Sequence, residues 1–128
     1  MASPSPLPTN ELQAIANSAC EKALGSAEKY DHTTVATWNS EIINTILQSL
    51  IEKTKQGDQG PAYKYIANST IIQHLTSPSE ASTGGRRGMH SAVGAYWNNE
   101  KDGTWSFKWE GAEAKGMDIV ISITWTGL

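Results

Sequence analysis

Three histidines, one cysteine and thirteen carboxylates are the groups in this 128-residue chain that could carry acid–base, nucleophilic or metal chemistry. His32, His74 and His90 are never three or four positions apart, so no two of them share a helix face as helical metal ligands do. Cys20 has no second cysteine to pair with, which excludes an intrachain disulfide and any local zinc or redox motif. Beside Ala19 and Ala23 it reads as a small core residue rather than a catalytic thiol. Glu100 and Asp102 fall in one turn-like stretch, and Glu110 and Glu113 near another, where solvated charges are expected. A general acid needs burial or a like-charged neighbour, and neither is written there. Residues 84–88, with Arg86 and Arg87 between glycines, could cradle a phosphate. However, no Lys-Ser or Lys-Thr pair follows and no strand-to-helix context surrounds them, so the segment reads as a solvated loop. The expectation is a protein that is not an enzyme and that holds no metal and no cofactor.

Composition narrows the remaining classes. The net charge of −3 does not suit a protein that wraps a polyanion, so no nucleic-acid partner is expected. No run approaches the ~18 apolar residues of a membrane-spanning helix, so membrane insertion is not expected. The first eight residues lack the basic start and apolar stretch of a secretory signal, and a cytoplasmic setting follows as an expectation. Five Trp against one Phe stand out, because indole rings are enriched in interfaces as well as cores. Trp105, Phe107, Trp109 and Trp125 could line a small-molecule pocket on one sheet face, but an aromatic stripe on paired strands more often forms core or interface.

The elements that must position these residues are written by periodicity. Residues 1–8 hold three of the five prolines and read as a disordered tail, leaving 9–128 as a single domain. Leu12, Ile15, Ala16, Ala19, Ala23 and Leu24 form one helical stripe, with Asn10 and Gln13 as a capping pair and Gly25 as the stop. Val35, Trp38, Ile42, Ile43, Ile46, Leu47, Leu50 and Ile51 write a second helix, capped by Asp31 or Thr33 and ended by Gly57. Four strands follow, at residues 63–75, 90–98, 103–110 and 118–126, the last two with strict alternation. Residues 98–103 and 111–116 have hairpin-turn composition, so antiparallel order is expected. Two helices followed by four strands give an α+β fold, with the helices on one face of an antiparallel sheet.

The segment 90–98 differs from the other strands. His90, Ser91, Ala92, Val93, Gly94, Ala95, Tyr96 and Trp97 place small residues at its centre, so its backbone can be approached closely by another chain. The long stretch 76–89 before it could let it reach out of the subunit, which gives it the character of an edge or exchanged strand.

At this point the residues resemble a known family. Tyr63-Lys64-Tyr65-Ile66, Thr70-Ile71-Ile72-Gln73, His90-Ser91-Ala92, Tyr96-Trp97 and Lys108-Trp109-Glu110 are similar, in order and separation, to the Tctex-type dynein light chains. Tyr30, His32, Val35 and Trp38 fit that family's entry into its second helix, and the likeness covers about residues 12–128. The chain departs from the pattern in its longer 76–89 stretch, which includes Ser77-Pro78-Ser79, its extended 111–116 turn and its bulky Trp125. The resemblance implies a non-catalytic subunit of the cytoplasmic dynein motor on microtubules. It further implies a homodimer that exchanges the strand 90–98, a bound segment of the dynein intermediate chain added as a strand, and a role in tethering cargo proteins. The competing reading is a small α+β ligand-binding protein or enzyme that uses the Trp-lined sheet face.

Overall fold

The computed structural model describes residues 5–55, 58, 62–74, 90, 92 and 94–128. Two helices, α1 (Thr9–Leu24) and α2 (Val35–Thr54), precede three strands, β1 (Tyr63–Gln73), β2 (Gly103–Trp109) and β3 (Met117–Gly127), and a 3-10 helix at Glu110–Lys115 joins the last two. The α+β arrangement agrees with the sequence reading. Of the four expected strands, three are seen among the described residues, and the described residues of 90–98 form no strand.

Neither helix starts as its sequence suggests. Asn10 lies inside α1; the residue before the helix is Pro8, whose carbonyl accepts the N–H groups of Glu11 (2.9 Å) and Leu12 (3.1 Å). Proline fixes an extended entry (φ −57°, ψ 149°), so the helical ladder begins immediately after it without a side-chain cap. Leu7, within the expected tail, packs against the core, while residues 1–4 lie outside the described residues. For α2 the flanking position is Thr34, and Asp31 works one turn upstream. Its carboxylate accepts from the Thr33 N–H and from both the Thr33 and Thr34 hydroxyls, and its carbonyl from the Val35 N–H. Those bonds, the Thr33 hydroxyl foremost, hold the Asp31 carboxyl below its ordinary range. Helix α2 ends at Thr54, and Gly57 lies outside the described residues.

The sheet is antiparallel in the order β1-β3-β2, so the strand latest in the sequence is the central one. Its alternation is strict in three dimensions: Met117, Ile119, Ile121, Ile123 and Trp125 all face inward and are buried. Across the strands the inner face is built in rows, Ile71–Ile119–Trp109, Ser69–Ile121–Phe107, Ala67–Ile123–Trp105 and Tyr65–Trp125–Gly103. Helix α1 closes the face with Leu12, Ile15, Ala19, Cys20 and Leu24, and α2 with Trp38, Ile42, Ile46 and Leu50. The four isoleucines of α2 reduce helix propensity, and the burial of this face is what offsets it. Two polar contacts register α2 on β1: the Ser69 hydroxyl donates to Asn39 Oδ1 (2.7 Å), and Thr54 Oγ1 meets the Tyr65 hydroxyl (2.7 Å). Residues 111–116, expected as a hairpin turn, are instead mostly 3-10 helix, stopped by Gly116 in the left-handed region (φ 75°). Ala112 is fully buried against the core, and that burial favours a helical turn over a tight hairpin.

The opposite sheet face carries no helix among the described residues. There the hydroxyls of Thr104 and Thr124 pair across the strands (3.1 Å), as do those of Ser106 and Ser122 (3.1 Å), and Ile66 stands 61% exposed.

Candidate functional site

The described residues of the segment singled out by its small residues take no part in the sheet. His90, Ala92, Gly94, Ala95 and Tyr96 are exposed and belong to no strand; Tyr96 is as open as a free side chain (104%). Ser91 and Val93 lie outside the described residues. A Cβ placed on Gly94 would meet nothing within 4 Å, so the close backbone approach its small side chain permits is not made here. Trp97 is half-buried and donates its indole N–H to Asn99 Oδ1 at 2.9 Å.

The stretch then enters β2 through a compact turn. The N–H groups of Lys101 (3.0 Å) and Asp102 (2.8 Å) both point at the Asn98 carbonyl, and the Glu100 N–H donates to Asn98 Oδ1 (2.9 Å). Asp102, expected to be a solvated turn charge, is 9% exposed. Its carboxylate accepts the N–H of Asn98 on one oxygen (2.9 Å) and that of Gly127, at the end of β3, on the other (2.7 Å). Such charge-assisted bonds are stronger than neutral ones and are what make burying the charge tolerable. Lys101 lies over Gly127 so closely that a Cβ there would fall 2.6 Å from the lysine Cβ.

Among the described residues, the outer edges of β1 and β2 both lack a neighbouring strand. Beside β1 runs α2, whose stripe continues past the buried positions to half-buried Ile43 and Leu47 and to Ile51, 44% exposed. Gln48, Ser49, Ile51, Glu52 and Lys53 line a shallow open depression near its C-terminal end. Among the described residues, the site thus consists of a segment outside the sheet, two open sheet edges and an apolar helix flank.

Residues 6–126 match the model of the Tctex-1 family. The chain belongs to the Tctex-1 family. It is 33% identical over 123 residues to a Schizosaccharomyces pombe protein named dynein light chain Tctex-type, covering 96% of this chain and 97% of that one. Two further proteins of the same name are similar: one from Dictyostelium discoideum (30% identical, 92% of this chain and 89% of that one) and one from Drosophila melanogaster (29%, 82% and 77%). Tctex-type light chains are structural subunits, not enzymes, and membership gives this chain the same character.

The remaining polar chemistry of this Tctex-1 chain is structural. His74, Glu113 and Asp118 bring ligand-type atoms within 4.8 Å of one another, a convergence that local spacing could not reveal. Lys108 already supplies the cation there, with Nζ 3.5 Å from Asp118 Oδ1 and 3.6 Å from Glu113 Oε2, while His74 Nε2 stands 3.0 Å from Asp118 Oδ2. Partial burial works against the Lys108 charge, but Asp118, Glu110 and Glu113 outweigh it and raise the lysine above its usual range. The cluster ties the ends of β1, β2 and β3 together. Cys20 is fully buried, and desolvation pushes its thiol up to about 12, as fits the core role read from sequence. Trp109 and Trp125 are buried, and Trp105 and Phe107 stack on each other (5.5 Å) against the core, so these rings serve packing rather than a ligand pocket. No helix among the described residues is long and apolar enough to cross a membrane.

Proposed function

We propose that this chain is a light chain of a dynein motor, acting as a homodimeric scaffold in the cytoplasm on microtubules. Each copy lends residues 90–98 as a strand to the other. The observation that carries the reading is that the described residues of this small-sided segment belong to no strand, while among the described residues β1 and β2 keep open edges. Backbone groups of a β-type segment left in water gain most by completing a ladder on another subunit, and exchange of an identical element is a low-cost route to a dimer.

The partner is a short extended segment of the dynein intermediate chain, added as a further strand. Main-chain bonds supply affinity, and alternate side chains entering the flank of α2 near Ile43, Leu47 and Ile51 supply specificity. Two sites per dimer hold two intermediate chains at high effective concentration, and cargo proteins carrying a similar extended segment can be tethered in the same way. The relatives' names support the motor assignment.

The test is sedimentation equilibrium of the full chain combined with titration by an intermediate-chain peptide, followed by tryptophan fluorescence. The expected result is a dimer that binds one peptide per copy. A monomer at every concentration, or a dimer blind to the peptide but responsive to metabolite mixtures, would overturn the proposal.

A further inference from the structure

We propose that Asp102 is the positioning residue that sends segment 90–97 outward to a second copy instead of letting it fold back on β2; this rests on the strand-exchange reading above. The simplest fate for a segment entering β2 through a short turn is a hairpin on the outer edge of β2, which is unpaired among the described residues. Its closing residues would be Asn98 and Asp102, the Asn98 carbonyl accepting the Lys101 N–H and the Asn98 N–H donating to the Asp102 carbonyl. Half of that pattern exists, because the Lys101 N–H reaches the Asn98 carbonyl at 3.0 Å. The other half is intercepted: the Asn98 N–H goes to the Asp102 side chain, on Oδ2 at 2.9 Å, rather than to its carbonyl.

The carboxylate is held in this position from the far side. Its second oxygen is fixed by the Gly127 N–H at 2.7 Å, in the last residue of the central strand, so it cannot swing away without breaking a buried charge-assisted bond. The turn it braces is right-handed throughout, whereas a three-residue hairpin loop needs its third residue in the left-handed region. That residue is Lys101, and no non-glycine residue among those described has positive φ. With the hairpin closed off in this way, the nearest edge in the chain, that of β2, is not taken by 90–97 and stays open to the same segment of a second copy.

Three full-length proteins decide the matter: wild type, Asp102→Asn, and Asp102→Asn combined with Lys101→Gly, which also frees the loop to turn left-handed. Asparagine keeps the size but presents an N–H where one of the two backbone donors needs an acceptor. With the fold retained by circular dichroism, the expected result is a dimer dissociation constant raised about tenfold or more, the equivalent of losing one charge-assisted bond. In the monomer of the double variant, an NMR Hα–Hα contact should appear between Ala95 and Trp105, a non-hydrogen-bonded pair of the new hairpin. A merely structural Asp102 would not create that contact. Variants that fold but dimerise like wild type and lack the contact overturn the proposal. If neither variant folds, amide exchange of the wild type decides: slow exchange at both Asn98 and Gly127 supports the clamp, and free exchange at Asn98 overturns it. A wild type that stays monomeric overturns the exchange reading itself, whereas dimeric variants beside a dimeric wild type overturn only the clamp.

Discussion

Proline substitution at Ala92, Val93, Gly94 and Ala95, one position at a time, separates what this segment does alone from what it does in an assembly. Ala92, Gly94 and Ala95 are exposed and outside the sheet, so a proline there removes no backbone bond made among the described residues. At concentrations where the chain is monomeric, unfolding free energies should therefore stay within about 0.5 kcal/mol of wild type. In the dimer, alternate N–H groups face the partner subunit's sheet and the added peptide. Loss of one such bond costs about 1–3 kcal/mol. A two-fold dimer contains the substitution twice, so the parity facing the partner should lose about 2–6 kcal/mol, or roughly 30-fold to more than 10⁴-fold in dimer affinity. The parity facing the peptide should keep the dimer and weaken each peptide site by about 5- to 150-fold. Sedimentation equilibrium reads the first effect and titration calorimetry the second. The reasoning is refuted if proline at Ala92 or Gly94 destabilises the isolated monomer by 2 kcal/mol or more, or if all four variants dimerise and bind peptide normally.

The other expectations concern the body of the domain. Because burial raises the Cys20 thiol to about 12, the folded chain keeps it protonated while the unfolded chain ionises it near pH 9; stability is full below that pH and falls by about 1.4 kcal/mol per pH unit towards pH 12. Denaturant melts of wild type and Cys20→Ala should show that extra slope only in wild type. Leu7 packs against the core, so Leu7→Ala should cost about 1 kcal/mol while removal of residues 1–4 changes the melting temperature little, as calorimetry would show. The Thr54–Tyr65 hydroxyl pair joins the end of α2 to β1, and a double-mutant cycle of Thr54→Val with Tyr65→Phe should give a coupling of about 1 kcal/mol by chemical denaturation.

What was legible in the sequence was whatever a periodicity of two or 3.6 can express. The inward set Met117 to Trp125 and the helical stripe Leu12 to Leu24 were readable because each side chain's burial is decided by its own element. Asp102 was misread for the converse reason: its burial depends on the Gly127 N–H, which chain topology brings to it. His74 and Asp118 likewise meet only because Gln73 pairs with Met117 in the β1–β3 register. The capping errors at Asn10 and Asp31 came from side-chain preference being overruled, by the fixed backbone of Pro8 in one case and by a turn that begins one step earlier in the other. Segment 90–98 was read as a strand from composition, but composition does not say whose edge completes it.

The placement of β3 between β1 and β2 also sets the timing of folding. Tyr63 pairs with Gly127, so the ladder that organises the sheet closes a loop across half the domain, and β1 and β2 have no contact register until that loop closes. During synthesis the two helices and both flanking strands leave the ribosome before the strand that joins them. The sheet therefore assembles late, after a slow long-range search, as expected of high-contact-order topologies.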